Sequence, residues 1–277
     1  DVLPTLFAVS IHPIRTMMLK SYGLRPLSLI RSFSEVSQIK RKQNRNFNFY
    51  MPILSEDQKR SVEKIVSLQI SGRYMICTTI LRKDNILHSW KLLSMPEDMN
   101  KFHLDDVYNC VATLMKDLPE SDVYLVENYM KMPNNVNVAG AHLFYVKLQI
   151  LAMLIALINN KNQIENPSIE NKKTTNKVIL MRARVHARLF RIVVGTEIIS
   201  SQDITALMLK GNFPEHVTPV VPTIDAILSY RSIQEPILRE LMSNGLMLAM
   251  AFVDLVLNSN PKSIRALNEG SRRKLKS

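Results

Sequence analysis

Two cysteines and seven glycines are few for a chain of 277 residues. Cys77 and Cys110 cannot build a disulfide framework, and without a CxxC spacing they supply no zinc site. Each falls on an apolar stretch where a cysteine serves as a small packing residue, and a reducing compartment fits both. None of the seven glycines stands in a GxG pair, so no glycine-rich loop is present to cradle a phosphate. Long apolar runs are missing too. The longest, Leu148 to Ile158, is broken by Gln149 and falls short of the roughly 20 residues a membrane span needs, so it reads as a buried helix and no membrane partner is expected. Six histidines are scattered, and His88, His142, His186 and His216 form no pair at ligand spacing, which leaves each as an ordinary surface or core residue. The acids are outnumbered. With 24 Asp and Glu against 36 Lys and Arg, the formal charge is +12, a field that favours an anionic partner.

Part of that charge lies at the start. Residues 1 to 50 carry Arg15, Lys20, Arg25, Arg31, Lys40, Arg41, Lys42 and Arg45 against Asp1 and Glu35 only. Arginine, serine and leucine with few acids is the composition of a mitochondrial presequence, here residues 1 to 33, with Arg31-Ser32-Phe33 preceding Ser34. Met17 to Ser34 would make one by itself, so Asp1 to Thr16 reads as upstream sequence or a fragment edge. A matrix address is expected. Residues 34 to 61 read as a basic linker running into a short helix, residues 62 to 260 as the main domain, and residues 261 to 277 as a basic disordered tail.

Within the main domain, Lys64 to Leu81 (KIVSLQISGRYMICTTIL) predicts two β-branched, apolar strands joined at Ser71-Gly72, and Ile86 to Leu93 a third, which together make an antiparallel meander. Leu104 to Leu118 places Leu104, Val107, Val111, Leu114 and Leu118 at helical spacing, a face made to pack on a sheet. A strand over Asp122 to Tyr129 follows, then a helix over Val138 to Ile158 that is apolar nearly all round and hence enclosed. Asn159 to Asn176 reads as a loop insertion and Lys177 to Met181 as a fifth strand. Trp90, on the third strand, is expected in the core. This order predicts an α/β fold with a mixed sheet flanked by helices.

Three stretches resemble the RuvC-type Holliday-junction resolvases, which have an RNase H-like fold. VSLQISGRY resembles their first strand, with Gln69 in the place of a carboxylate. YLVEN resembles their fourth strand and keeps its acid as Glu127. MSNGLMLAMAF resembles their last helix, with Asn244 in the place of an acid. The resemblance implies metal-binding positions, two of which are amides here. Phosphodiester hydrolysis on this fold needs carboxylates holding two divalent ions, and an amide offers only a neutral oxygen. The chemistry is therefore expected to be lost, and no cofactor or metal is expected.

The likeness goes further, to the mitochondrial transcription elongation factors, a family of pseudonucleases. ILHSWKLL, LPESDVYLVENY, LAMLIALINN and LMSNGLMLAMAFVDL resemble that family in order and spacing, over roughly Ser61 to Leu257. It implies mitochondrial RNA polymerase and a DNA template as partners, the RNA–DNA hybrid as a further one, a nucleoid location and a homodimer. The family also carries a helix-hairpin-helix module ahead of the nuclease-like domain. The glycines such a module needs are missing here, so it is expected to be absent or truncated.

Arg184, Arg188 and Arg191 fall at i, i+4 and i+7 beside Val185, Leu189 and Val193, which predicts a helix presenting a row of guanidinium groups. Arginine's planar fork bonds two phosphate oxygens at once. With Lys172, Lys173, Lys177 and Arg182, and no acid from Asn171 to Gly195, this is the expected nucleic-acid patch. The alternative for any such row is a solvated face paired with local acids. Ser200 reads as a helix cap with Asp203 in the first turn. In the last helix, Ile237, Leu241, Asn244, Leu248, Phe252 and Leu255 share a stripe that turns Asn244 and Gly245 toward the sheet, with Glu127 a candidate partner for the amide. Two other readings compete with the noncatalytic elongation factor. One is an active, metal-dependent, structure-specific endonuclease using Glu127, Asp203 and Glu240. The other is a scaffold without nucleic-acid affinity.

Overall fold

A computed structural model of the chain describes residues 49–96, 103–128, 138–165, 176–194 and 197–272. The expected presequence, most of the linker, Lys172 and Lys173 lie outside these residues. The described residues belong to one unit that begins at Asn48, so the folded part reaches beyond the expected 62 to 260 at both ends.

In chain order the elements are β1 (Tyr50–Met51), α1 (Glu56–Ser61), β2 (Lys64–Ser71), β3 (Tyr74–Leu81), β4 (Ile86–Ser94), α2 (Leu104–Asp117), β5 (Val123–Asn128), α3 (Val138–Glu165), β6 (Val178–Arg182), α4 (Val185–Leu189), β7 (Val193–Val194) and β8 (Glu197–Ile198). Then come α5 (Ser201–Met208), β9 (Val221–Pro222), α6 (Ile224–Ser232), α7 (Pro236–Phe252), a π-helical turn (Val253–Leu257) and α8 (Pro261–Arg272). Seven strands form one sheet in the order β1-β6-β5-β2-β3-β4-β9. Strands β2, β3 and β4 are the expected antiparallel meander, whereas β5 and β6 run parallel to β2. The first turn has Gly72 at φ 53, where the absence of a side chain removes the left-handed penalty.

Alternation along the strands builds two cores. Ile65, Ile76, Ile80, Leu125, Ile179 and Met181 point to the face covered by α7. Val66, Leu68, Met75, Val126 and Val178 point to the face covered by α2 and α3. On α2 the buried stripe is Val107, Cys110, Val111 and Leu114; the expected Leu104, first residue of the helix, is 61 % exposed. Helix α7 is the central element, with Leu246, Met247, Leu248 and Phe252 fully buried, each contributing about 1.5–3 kcal/mol. It lies close to the sheet at Gly245, whose carbonyl accepts a 2.6 Å hydrogen bond from Ser67. A Cβ there would sit 2.4 Å from Thr78 Oγ1. Trp90 is buried as expected and donates its indole N–H to the Met242 carbonyl at 3.1 Å.

Three expectations change. Residues 159–165 continue α3 rather than opening a loop, and the rest of that segment lies outside the described residues up to Asn176. The stretch Gly140–Lys161 is long and apolar enough to cross a membrane by length and composition, as is Pro236–Leu257, although no single run suggested it. The second is almost wholly enclosed by the core, whereas the first, expected to be enclosed, buries only 28 % of its apolar window, packing on the sheet through Val146, Ile150, Leu154 and Ile158 and leaving Leu143 and Tyr145 exposed. Finally, the basic tail is helical from Pro261 to Arg272. The buried Asp254, in the π-helical turn, explains its position. That carboxylate accepts from Thr218 N at 3.0 Å and from the hydroxyls of Thr218 and Ser263, so it ties the first turn of α8 to the loop before β9.

Candidate functional site

Strands β2, β5 and β6 are parallel neighbours, and their carboxyl ends meet at one edge of the sheet, the usual position for a site in an α/β fold. Leu68 pairs with Val126, a register that sets Gln69 level with Glu127. By alternation both side chains face α7, the helix that carries Asn244. The structure thus gathers the three residues that the resolvase resemblance singles out.

Glu127 is 4 % exposed and its Oε1 accepts the Arg184 backbone N–H at 2.6 Å. Its Oε2 lies 3.9 Å from Nδ1 of His186, which is equally buried. Burial holds the His186 pKa below its ordinary value, while Glu127, Asn244 and Glu240 act in the opposite direction. The imidazole is therefore neutral at pH 7, and its contact with Glu127 is not an ion pair. The Asn244 amide donates to Glu240 Oε1 at 3.4 Å, and Gln202 reaches Glu240 Oε2 at 3.5 Å. The polar contacts differ from the expected Glu127–Asn244 pairing: buried Glu127 is held by the Arg184 backbone, and half-buried Asn244 bonds Glu240. Lys147, half-buried on α3, completes the edge. Burial lowers its pKa, opposed by Glu127.

Gln69, Lys147, Gln202, Glu240 and Asn244 line a cleft of about 400 Å³. Among the described residues no three His, Cys, Asp or Glu side chains come together as a cation site. The two divalent ions of a resolvase do not fit this donor set. Two of its positions are neutral amides, one Glu127 oxygen is held by an N–H group, and an ammonium stands nearby. Asp203 is an exposed first-turn acid of α5, with Ser200 as the cap, accepting the Gln202 N–H at 3.2 Å.

The arginine row takes a different form from the one expected. Helix α4 spans five residues only, and Arg184 and Arg191 lie at its two ends with left-handed φ values of 59° and 55°. Three bonds account for this. The Arg184 N–H is drawn to Glu127, and the helix closes where Ile192 N bonds Ala187 O (2.9 Å) and Arg191 N bonds Arg188 O (3.2 Å). The two closing bonds, from Ile192 and Arg191, form a Schellman motif. Arg182, Arg184, Arg188 and Arg191 are all exposed nonetheless, on a segment anchored to the Glu127 site. Lys177 does not join them. It stands at the opposite end of β6, roughly 17 Å away at strand spacing, beside Lys64 and Lys161.

Sequence reasoning set His186 aside and did not find Lys147 or Gln202. His186 is 59 positions from Glu127 and Lys147 lies on another helix, so no local spacing could have joined them.

Neither a protein-family model nor a curated protein sequence matches the chain. Among solved structures, the yeast mitochondrial Holliday junction resolvase is similar to it with a TM-score of 0.51 and 10 % identity, over 80 % of this chain and 86 % of that one. At that identity the likeness is one of fold. The chain has the RuvC-like, RNase H-like architecture: a mixed sheet with helices on both faces.

Proposed function

We propose that a chain with this resolvase-like fold is a noncatalytic mitochondrial transcription elongation factor, acting as a homodimer in the matrix nucleoid on mitochondrial RNA polymerase and its template. The observation that carries the reading is that amides, Gln69 and Asn244, stand where the resolvase resemblance expects carboxylates, beside a Glu127 that bonds the backbone. Without a two-ion clamp the fold has no means to stabilise the attacking and leaving oxygens of a phosphodiester. What remains useful is its surface. Exposed Arg182, Arg184, Arg188 and Arg191 offer phosphate contacts, and the basic chain as a whole draws nucleic acid toward it. Its mechanism is tethering: contacts to the template, the RNA–DNA hybrid and the polymerase slow release of the polymerase and raise processivity.

A run-off assay tests this. Adding the purified protein to mitochondrial RNA polymerase on a long template, with Mg²⁺ present, should lengthen the transcripts and leave the template intact. The alternative reading is a metal-dependent, structure-specific endonuclease, favoured by the resolvase-like fold and by Glu240 lying one turn before Asn244. Nicked or resolved DNA, unchanged transcript lengths and loss of cleavage in Glu127→Ala would establish that alternative instead.

A further inference from the structure

The helix formed by the basic tail is held against the arginine segment. His216, in the loop before β9, donates from Nε2 to the Leu189 carbonyl at 2.7 Å, and its own carbonyl accepts the Ser263 hydroxyl. One residue thus ties the end of α4 to the first turn of α8, and the two helices pack directly on each other. Both turn their apolar side chains inward. Val185, Leu189 and Phe190 are buried on and beside α4 and Leu267 on α8, with Ile264 half-buried against the same core.

What is left outward is cationic. Arg184, Arg188 and Arg191 are exposed on one element, Lys262 and Arg265 on the other. None of these five cations has an ion-pair partner among the described residues. The exposed acids beside them are Glu215 and Glu269, so positive charge prevails on the joint surface.

Three anionic partners can be weighed against it. A lipid surface is held by apolar side chains that insert into it, and those of α8 are already spent on the core. A single strand is held by exposed aromatic rings on which its bases stack, and neither helix offers one. Phe190 is buried, and the exposed aromatic residues of the described chain, Tyr108 and Tyr145, belong to α2 and α3 on the other face of the sheet. A duplex asks for phosphate contacts alone. It carries about one charge per 1.7 Å of its axis, twice the density of a single strand, and rewards cations drawn from two elements.

We propose that the joint surface of α4 and α8 grips duplex DNA by its phosphates, with Lys262 and Arg265 on one side and Arg188 and Arg191 on the other. The proposal rests on the template-binding reading and adds to it a second element and the form of the nucleic acid. Phosphate contacts carry no sequence information, so the grip is indifferent to sequence.

Fluorescence anisotropy with the full-length protein and no polymerase provides the test, using a labelled DNA duplex of arbitrary sequence and the same strand unpaired, over a range of salt concentrations. The native protein should bind the duplex about tenfold or more tighter than the strand. Lys262→Gln combined with Arg265→Gln removes two contacts, which should weaken duplex binding about tenfold and shrink the slope of log affinity against log salt by about 1.8. Glu269 lies four residues after Arg265 and seven after Lys262, on the same stripe of α8. Glu269→Gln should therefore tighten duplex binding about twofold or more, a gain that misfolding cannot imitate. Should the double variant unfold, Glu269→Gln decides alone, and a neutral result overturns the proposal. Native affinity and slope in a folded double variant overturn it too, as does a single strand held as tightly as the duplex. If Arg188→Gln with Arg191→Gln still weakens binding in that case, the template reading survives the loss of α8. No duplex binding by the native protein at low salt sinks both. Run-off transcripts that stay short while the duplex is bound as expected would instead remove the elongation reading and leave this surface standing.

Discussion

Replacing Arg191 with glycine separates the backbone role of that residue from the role of its charge. Arg191 holds a φ of 55° at the close of α4, where a residue with a Cβ carries about 1–2 kcal/mol of strain. The same chain shows the relaxed form of the motif. After α5, Asn212 N bonds Leu207 O and Gly211 N bonds Met208 O, the same two bonds, with glycine at φ 88° in the left-handed position. Arg191→Gly removes the strain but adds the entropy glycine loses on folding, about 0.5–1 kcal/mol, so the expected net change is a gain of about 0.5–1 kcal/mol. For a domain of this size that raises the thermal midpoint by roughly 2–3 °C. The substitution also deletes an exposed cation. If Arg191 meets a phosphate, affinity for duplex DNA falls and the slope of log affinity against log salt shrinks by about 0.9. Urea unfolding measures the first effect and fluorescence anisotropy at several salt concentrations the second. A clear loss of stability would refute the account of α4's closure, and an unchanged salt slope would remove Arg191 from the proposed interface.

Other perturbations follow from the core and its buried groups. Gly245→Ala pushes a methyl group to 2.4 Å from Thr78 Oγ1, on a stiff β-branched side chain, and should destabilise by about 1–3 kcal/mol in urea, with most of the loss recovered by adding Thr78→Ala. His186 gives a pH effect of known sign. Its pKa is lowered from an ordinary 6.5, so the unfolded chain takes up that proton first. The stability it confers is complete above pH 6.5 and declines as pH falls through that value. His186→Gln should therefore lose less stability between pH 7.5 and about pH 5.5 than the native protein, and an equal or greater loss would contradict this. Burial pushes the Cys77 thiol up to about 12, so in the native state it should react with iodoacetamide only through unfolding; rapid labelling would show the strand to be open.

How much of the molecule the sequence discloses depends on the range of the forces involved. Strands β2, β3 and β4 are readable to within a residue or two, because alternation of Ile65, Ser67 and Gln69 with Val66, Leu68 and Ile70 is a local signal. Gln69, Glu127 and Asn244 lie near one sheet edge, since a parallel register and a helix face follow from the fold type. The arginine segment misleads for the opposite reason. Its 3.6-residue spacing is real, but the conformation of Arg184 answers to a carboxylate 57 positions away. Likewise, no pattern within residues 261 to 272 reveals that Ser263 donates to Asp254 and fixes a helix where a loose tail was expected. His186 escapes notice because a buried imidazole beside a carboxylate is a property of the assembled sheet edge.

The bond from the Arg184 N–H to Glu127 has a consequence for how this site can vary. A main-chain donor is blind to the side chain that follows it, so any residue at position 184 that has an N–H and tolerates a left-handed φ can still hold the carboxylate in place. Position 127 has no such freedom, because the contact depends on its oxygens. The two ends of one hydrogen bond therefore carry different constraints: the acid is fixed by its oxygens, while residue 184 is held to a left-handed φ of 59° and a free N–H and is otherwise open in its side chain.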